Sequence, residues 1–335
     1  MLANIASNIA SRTGTAARST TSISSIIANA ARGFSSTSLS PPVPEIKSVG
    51  CVGLGLMGHG IAQAAASNGF NVVAFENEDR FLSSGRSRIE GSLAKMVKRE
   101  KITFDQQETI LSNLTYTTDP ADLADVDLVV EAVIENMELK KSLYLTLDSV
   151  CKDSCMFASN TSSLSITEMA EVSGRPDRFV GVHFFNPVQM MKLVEVVHTE
   201  HTHKDVFEAA TNWVEAIKKV PVSCGDTPGF IVNRLLVPAL TQAMLMVDRK
   251  DASVNDIDVS MKLGAGHPMG PLQLADYIGL DTCIFIMQGW VDKYPDEPAF
   301  TVPICLQEKV DRGELGRKTG KGFYNWEGDK ALGPV

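Results

Sequence analysis

The feature that most restricts how this chain can fold is a glycine-rich turn between two short apolar segments. Residues 46–52 are mostly apolar and β-branched, as expected for a buried strand of a parallel sheet. The turn consists of Gly53, Leu54, Gly55, Leu56, Met57 and Gly58. Apolar residues then recur at helical spacing up to Gly69, and a second apolar segment, residues 71–75, ends at Glu76. This order of strand, glycine turn, helix, strand and acid is typical of a dinucleotide-binding unit.

The glycines and the acid of this unit have separate roles in binding a dinucleotide. Gly53 permits the tight turn, Gly55 lets the backbone approach a pyrophosphate, and Gly58 lets the helix pack on the strand. The N-terminus of the helix supplies free N–H groups and a positive dipole for the phosphates. Glu76 stands where a carboxylate accepts hydrogen bonds from the adenosine ribose and repels a 2′-phosphate. We therefore expect NAD rather than NADP, with FAD, which uses the same motif, as an alternative.

Strands and helices continue to alternate after this unit. The sequence predicts a helix at 135–147 and further strands at 127–133, 155–159, 179–184 and 192–197. This alternation predicts an α/β fold, a Rossmann-type doubly wound sheet, whose ligand lies at the carboxyl ends of the strands.

A second, smaller all-helical domain is expected in the C-terminal third, since 335 residues suit two domains. The segment 220–229 is rich in Pro and Gly, which indicates a domain boundary. Residues 230–247 and later segments show helical apolar spacing without strand alternation. We assign residues 45–224 to the NAD-binding Rossmann domain and 225–335 to the helical domain.

The overall charge and the absence of certain patterns exclude several classes of protein. The net charge of −9 argues against general nucleic-acid binding, which needs a cationic face. No membrane span is predicted, because the longest apolar segment contains Asn233 and Arg234. No metal site is predicted, because the histidines between residues 198 and 203 have no neighbouring cysteine or carboxylate cluster.

Residues 1–44 differ in composition from the remainder of the chain. They contain Arg12, Arg18 and Arg32, no acidic residue, and many Ser, Thr and Ala residues, with a proline-rich spacer at the end. A basic, Ser-rich and acid-poor leader is typical of a mitochondrial transit peptide, the alternative being an ordinary disordered tail.

Two titratable residues that could serve in proton transfer lie in neighbouring predicted strands of the sheet. His183 stands near the end of one strand and Glu195 within the next. An imidazole suits the removal of a hydroxyl proton, and a carboxylate on its other nitrogen fixes the tautomer. If the two strands are antiparallel neighbours, contact between the two side chains is geometrically easy.

From about residue 46 to 326 the chain resembles the 3-hydroxyacyl-CoA dehydrogenase family, both its mitochondrial short-chain L-specific members and bacterial 3-hydroxybutyryl-CoA dehydrogenases. The resemblance lies in long motifs that occur in the family's order: GLGLMGHGIAQ, LVVEAVIEN, ASNTSSLSIT, HFFNPVQMMKLVEVV, DTPGFIVNRLLVPAL, MKLGAGHPMGPLQLADYIGLD and GRKTGKGFY.

The resemblance implies a role for each of several residues. His183 is expected to be the catalytic base and Glu195 its partner, while Ser162 and Asn233 orient the substrate oxygen. The residues expected to line the NAD site are Gly53, Leu54, Gly55, Leu56, Met57, Gly58, Glu76, Glu135, Lys140, Ser162, Asn186 and Lys318. The family usually has Asp where this chain has Glu76; both are acids, so the NAD preference is expected to persist.

The resemblance also implies contacts with coenzyme A and with a second copy of the chain. Ser92, Arg99 and Ser162 fall where the family contacts the acyl-CoA substrate. The helical domain forms a homodimer in the family, and residues 244–246 suit such a surface, with ordinary core packing as the alternative.

The expected function is NAD-dependent oxidation of (S)-3-hydroxyacyl-CoA to 3-oxoacyl-CoA in mitochondrial-matrix β-oxidation. Two alternatives stay open. One is a related dehydrogenase of a free hydroxy acid, as in the gulonate-type branch of the fold. The other is a non-catalytic, crystallin-like NAD-binding protein.

Overall fold

The computed structural model describes residues 41–335, so most of the predicted leader, residues 1–44, lies outside the described residues. A large sheet flanked by helices is followed by a group of helices that ends in a β-hairpin. This arrangement confirms the predicted fold class, a Rossmann-type sheet followed by a smaller helical part. No helix in residues 41–335 is long and apolar enough to cross a membrane.

Eight strands form the large sheet in the order β3-β2-β1-β4-β5-β6-β7-β8. Strands β1 to β6 pair in parallel, β7 runs antiparallel to β6, and β8 is parallel to β7. The strands are β1 (Ser48–Val52), β2 (Asn71–Phe75), β3 (Leu114–Thr117), β4 (Leu128–Glu131), β5 (Met156–Ser159), β6 (Phe179–Phe184), β7 (Leu193–His198) and β8 (Val220–Gly225). The strand order reverses beside β1, so the carboxyl ends of β1 and β4 border a crevice, the usual ligand site of such sheets.

Helices cover both faces of the sheet and bury its apolar strands. They are α1 (Gly58–Ala66), α2 (Asp79–Lys98), α3 (Phe104–Ser112), α4 (Met137–Val150), α5 (Ile166–Val172) and α6 (Lys204–Ala216). Side-chain caps define several of their starts: Asn136 accepts the N–H of Leu139 at α4, and Ser165 accepts that of Glu168 at α5. One apolar core lies on each face of the sheet.

The second part has its own core, which includes Leu240, Met244, Leu272 and Trp290. Its helices are α7 (Val232–Asp248), α8 (Val254–Gly264), α9 (Pro271–Ile278), α10 (Leu280–Lys293) and α11 (Ile304–Asp311). Met244 is fully buried in this core, so it contributes no surface to a dimer, whereas Leu245 and Met246 are half-buried.

The helical part also contains a hairpin, β9 (Tyr324–Glu327) with β10 (Lys330–Pro334), so the expectation of an all-helical domain was incomplete. The buried carboxylate of Asp276 attaches the hairpin to α9. It accepts hydrogen bonds from the backbone N–H groups of Phe323 and Tyr324, both 2.8 Å, and from the indole N–H of Trp326, 2.9 Å. A two-stranded hairpin is too small to be stable alone, so packing on the helices decides its formation.

The segment 220–229 is predicted to be a Pro- and Gly-rich break, but its first half forms a strand. Val220–Gly225 forms β8, the edge strand next to β7. Pro221 is tolerated there because one side of an edge strand has no ladder partner to supply with an N–H. The chain leaves the sheet only after Gly225, one residue beyond the predicted domain limit at 224.

Candidate active site

The glycine turn lies between β1 and α1, where the chain must reverse tightly. Gly53 has φ +90°, and a Cβ there would lie 2.8 Å from the carbonyl oxygen of Ala132. A Cβ on Gly58 would lie 1.7 Å from the carbonyl oxygen of Gly53, so only glycine allows the helix to start this close to the strand. A Cβ on Gly55 would meet no heavy atom within 4 Å, so the surface at Gly55 is open to a ligand.

A cleft of about 690 Å³ opens over this turn, within the range of ordinary cofactor sites. Gly53, Leu54, Gly55 and Leu56 line part of it. Apolar side chains form much of the remaining lining, namely Phe81, Val133, Ile134, Leu139 and Leu143. Such a slot can accept the flat, apolar face of an adenine ring.

Glu76 follows β2 and lines the same cleft. Its Oε1 accepts a 2.6 Å hydrogen bond from the backbone N–H of Leu54. The carboxylate is thereby fixed beside the turn, where it can accept ribose hydroxyl groups and repel an added phosphate.

The residues of the cleft fit NAD. No side chain caps the N-terminus of helix α1, so no side-chain oxygen competes with a pyrophosphate for the positive end of the helix dipole. The space beside Gly55, the apolar wall and the carboxylate of Glu76 supply complementary surfaces for the phosphates, the adenine and the ribose. Met57, the residue before α1, is half-buried and packs on the core, while Leu56 is 64% exposed.

His183 and Glu195 are directly paired in the register of β6 and β7, so their side chains lie on the same face of the sheet. His183 Nδ1 lies 2.6 Å from Glu195 Oε2, and both residues are buried. Glu195 Oε1 accepts the backbone N–H groups of Ile231, 3.1 Å, and Val232, 2.8 Å, at the start of α7. Each carboxylate oxygen therefore has its own donor.

These contacts keep Glu195 ionised. Burial raises the pKa of its carboxyl, but the hydrogen bond to His183 and the two backbone N–H groups outweigh burial, and the net pKa lies below its ordinary value. An ionised carboxylate can only accept hydrogen bonds, so the imidazole carries its proton on Nδ1. In the neutral ring Nε2 is then unprotonated and can accept a proton.

Ser162 and Asn233 come from different parts of the fold and meet here. Ser162 follows β5 and Asn233 lies in the first turn of α7, with the Asn233 side-chain nitrogen 3.5 Å from the Ser162 carbonyl oxygen. The backbone N–H of Ser162 donates to Glu135 Oε1 at 2.9 Å. Both residues are half-buried, and neither is among the described residues that line the cleft over the glycine turn.

Lys140 is not among the described residues that line the cleft. Its side chain is 1% exposed, and its Nζ lies 2.6 Å from Glu131 Oε1 and 3.2 Å from Glu135 Oε2. Burial raises the pKa of Glu135, but the ammonium of Lys140 and the donors Thr161 and Ser162 more than compensate, and its pKa is lowered. Lys140 contacts two carboxylates and is covered by protein, and neither it nor Glu135 is among the described residues that line the cleft.

The other residues named from the sequence occupy separate positions. Asn186 is exposed, three residues beyond His183. Lys318 forms an ion pair with Asp281 in the helical part, and neither it nor Asn186 is among the described residues that line the cleft. Ser92 and Arg99 lie in or just after the last two turns of α2, Ser92 half-buried and Arg99 exposed.

Three parts of this site were missed from the sequence. Glu131 is fully buried at the end of β4 and accepts hydrogen bonds from Lys140 and from Ser159, 2.7 Å. Phe185 and Phe230 place their ring centroids 4.5 and 5.7 Å from that of the His183 imidazole. An acid inside the apolar run LVVEAV was a usable signal for Glu131, whereas nothing local indicates which rings approach His183.

Two family descriptions match successive segments of the chain. Residues 48–227 match "3-hydroxyacyl-CoA dehydrogenase, NAD binding domain", and residues 229–326 match "3-hydroxyacyl-CoA dehydrogenase, C-terminal domain". Together these segments cover nearly all of the described residues.

Individual relatives are similar over almost their entire length. "Hydroxyacyl-coenzyme A dehydrogenase, mitochondrial" of Rattus norvegicus is 48% identical over 288 residues, which cover 84% of this chain and 92% of that protein. "Probable 3-hydroxybutyryl-CoA dehydrogenase" of Deinococcus radiodurans is 46% identical over 277 residues, covering 83% of this chain and 99% of that protein. The crystal structure of (S)-3-hydroxybutyryl-CoA dehydrogenase from Ralstonia eutropha superposes with TM-score 0.81 at 40% identity, over 84% of this chain and 99% of that one.

These similarities confirm the resemblance predicted from the motifs. The NAD-binding description of the first segment also confirms NAD as the cofactor predicted from the glycine turn and Glu76. The chain belongs to the 3-hydroxyacyl-CoA dehydrogenase family.

Proposed function

We propose that this protein oxidises (S)-3-hydroxyacyl-CoA to 3-oxoacyl-CoA, with NAD as the acceptor. The observation that carries the proposal is the buried pair of His183 and Glu195, 2.6 Å apart, in a fold whose family acts on this substrate class. The names of the similar mitochondrial and bacterial proteins support the same substrate class.

His183 is the general base of the proposed reaction. Its Nε2 takes the proton of the substrate C3 hydroxyl, and the positive charge that forms on the ring is stabilised by Glu195 through the Nδ1–H bond. The chemistry that bound NAD would supply is a nicotinamide ring able to take up the hydride released from C3. In the reverse direction the imidazolium returns the proton to the carbonyl oxygen.

Ser162 and Asn233 orient the substrate oxygen in this proposal. The Asn233 side-chain nitrogen lies 3.5 Å from the backbone carbonyl oxygen of Ser162, which supports a joint role for the Asn233 amide and the Ser162 hydroxyl. Both groups can hydrogen-bond an oxygen that changes between hydroxyl and carbonyl. Ser92 and Arg99, together with the neighbouring basic residues of α2, are proposed to contact coenzyme A.

The substrate class is tested by comparing acetoacetyl-CoA with free acetoacetate as substrates for NADH oxidation. A CoA-dependent enzyme gains transition-state stabilisation from the remote nucleotide, so the free acid should react far more slowly. Equal rates would favour a dehydrogenase of free hydroxy acids, and no NADH oxidation with either would favour a non-catalytic NAD-binding protein.

The role of His183 is tested by the substitution His183→Gln. We expect turnover to fall by about 10²–10⁴-fold, the usual contribution of a general base. NAD affinity, followed by fluorescence titration, should change little, because His183 does not line the NAD cleft in the described structure. Turnover close to that of the wild type would refute the assignment.

We further propose a homodimer formed through the helical part, and a location in the mitochondrial matrix. Leu235, Leu263, Phe285 and Ile304 are exposed apolar residues on the helices of this part, which supports an interface there. The mitochondrial relatives and the basic, acid-poor residues 1–44 support the location. Sedimentation analysis and a fluorescent fusion to residues 1–44 test these two proposals.

A further inference from the structure

The chain enters α7 through two consecutive residues with left-handed backbone conformation. Gly229 has φ +75° and Phe230 has φ +53°. Glycine adopts this conformation freely, but for a bulky residue it is strained and persists only where its surroundings determine it. A Cβ on Gly229 would lie 2.6 Å from the ring of Trp290, so this ring leaves no room for a side chain at position 229.

The side chain of Phe230 is buried in the core of the large sheet and not in that of the helical part. It is 4% exposed and belongs to the apolar cluster that includes Phe157, Ile166 and Phe179. Its ring centroid lies 5.7 Å from the His183 imidazole, with an angle of 52° between the planes. The residue that begins the helical part is therefore anchored beside the proposed base.

The backbone after Phe230 holds the partner of that base. Because the chain reverses at Gly229 and Phe230, the next two N–H groups, of Ile231 and Val232, point at Glu195 Oε1. Glu195 Oε2 is left for His183. The ring of Phe230 thus lies beside His183, while the two N–H groups that follow it bind Glu195.

We propose that Phe230 is a positioning residue for the proposed reaction, since its buried ring and left-handed backbone hold His183 and Glu195 in their paired geometry. The inference rests on the proposed function, because it assigns a role toward that function's base. In this role Phe230 acts through the pair and not through a contact with substrate.

The test compares Phe230→Leu with Phe157→Leu. Both substitutions replace a buried ring of the same cluster by a smaller apolar side chain. The nearest aromatic ring to Phe157 is that of Tyr144, at 5.6 Å, and no ring contact joins Phe157 to His183 among the described residues. Phe157→Leu therefore controls for loss of core packing, and a thermal melt of each variant measures that loss.

The measurements are kcat and KM for acetoacetyl-CoA and NADH, and the proton NMR signal of the His183 Nδ1–H. A proton in so short a bond to a carboxylate resonates far downfield of the amide protons. In Phe230→Leu we expect kcat to fall about tenfold or more, as misplaced catalytic groups do, with KM for NADH within about twofold. The downfield proton should weaken or shift upfield, while Phe157→Leu keeps both kcat and the signal.

The outcomes separate this inference from the proposed function. If the wild type is active and His183→Gln is not, but Phe230→Leu loses no more activity than Phe157→Leu and keeps the downfield proton, the positioning role is refuted alone. If the wild type oxidises no NADH with acetoacetyl-CoA, the proposed function fails. Should Phe230→Leu not fold, Phe230→Met is compared with Phe157→Met in the same way.

Discussion

The substitution Glu195→Gln examines the catalytic pair most directly, because it removes a charge while keeping the shape of the side chain. In the wild type one carboxylate oxygen accepts two backbone N–H groups, of Ile231 and Val232, and the other accepts the imidazole Nδ1–H. A glutamine has only one oxygen, so it cannot accept from both sides. Its amide NH₂ must face either the backbone donors or the imidazole.

The energies of the two orientations decide which one forms. Turning the NH₂ toward the two backbone N–H groups would sacrifice two hydrogen bonds and bring donors together, at roughly 1–3 kcal/mol for each unsatisfied buried group. We therefore expect the oxygen to stay on the backbone and the NH₂ to donate to His183 Nδ1. That bond selects the tautomer with its proton on Nε2, which cannot accept the substrate proton.

The expected loss of activity follows from this change of tautomer. The equivalent amide substitution in a Ser-His-Asp triad lowers turnover about 10⁴-fold for the same reason. We expect a fall of about 10³–10⁴-fold in kcat, which corresponds to roughly 4–5.5 kcal/mol of transition-state stabilisation. NAD affinity should be retained, because Glu195 lies outside the cleft that the described residues form over the glycine turn.

The assay is steady-state NADH oxidation with acetoacetyl-CoA as a function of pH, with NADH binding measured separately. Since the pKa of Glu195 lies below its ordinary value of 4.5, the wild type keeps the carboxylate throughout the neutral range. The variant should therefore be impaired to a similar extent at every neutral pH. A reduction of less than about tenfold, with the protein folded and NADH bound, would refute the tautomer argument.

Two further predictions concern stability, and both can be read from urea unfolding. Lys140→Met should lower the free energy of unfolding by about 3–5 kcal/mol, because it leaves the fully buried Glu131 without its cation. The control Lys141→Met, whose ion-pair partners are partly exposed, should lower it by less than about 1 kcal/mol. Similar losses in the two variants would contradict this account. Burial raises the pKa of Asp127, but the ammonium of Lys152 and nearby N–H groups lower it by more than burial raises it, so the net pKa is below 3.8. Its contribution to stability is complete above that pH and is lost as the pH falls through the lower folded-state value. Asp127→Asn should make the free energy of unfolding depend less steeply on pH in this acid range. An unchanged slope would show that other groups cause the pH dependence.

The sequence alone was sufficient for the class of fold, the cofactor and the family. Glycine at 53 and 58 is required by backbone geometry that no other residue satisfies, and Gly55 leaves open space beside the backbone, so the turn is visible in a local pattern. Short apolar strands were placed to within a few residues for the same reason, since burial on both faces imposes a continuous apolar run. The pairing of His183 with Glu195 was suggested by two strands close in sequence, and the register of β6 and β7 places them opposite each other.

Other features depended on contacts between residues far apart in the chain. The sequence predicts a break where β8 forms, because Pro221 has no N–H and is unfavourable in a strand unless no ladder partner needs that donor, which only the sheet order reveals. The hydrogen bonds from the N–H groups at the start of α7 to Glu195 join segments that no sequence period relates. Lys140, Glu131 and Glu135 are close in sequence, but only the folded structure shows that Lys140 is buried against both carboxylates. Local patterns determine where strands, turns and helices form, because their causes act within a few residues. Which charge is buried against which partner is decided by packing in three dimensions, where desolvation and hydrogen bonding depend on every neighbouring element.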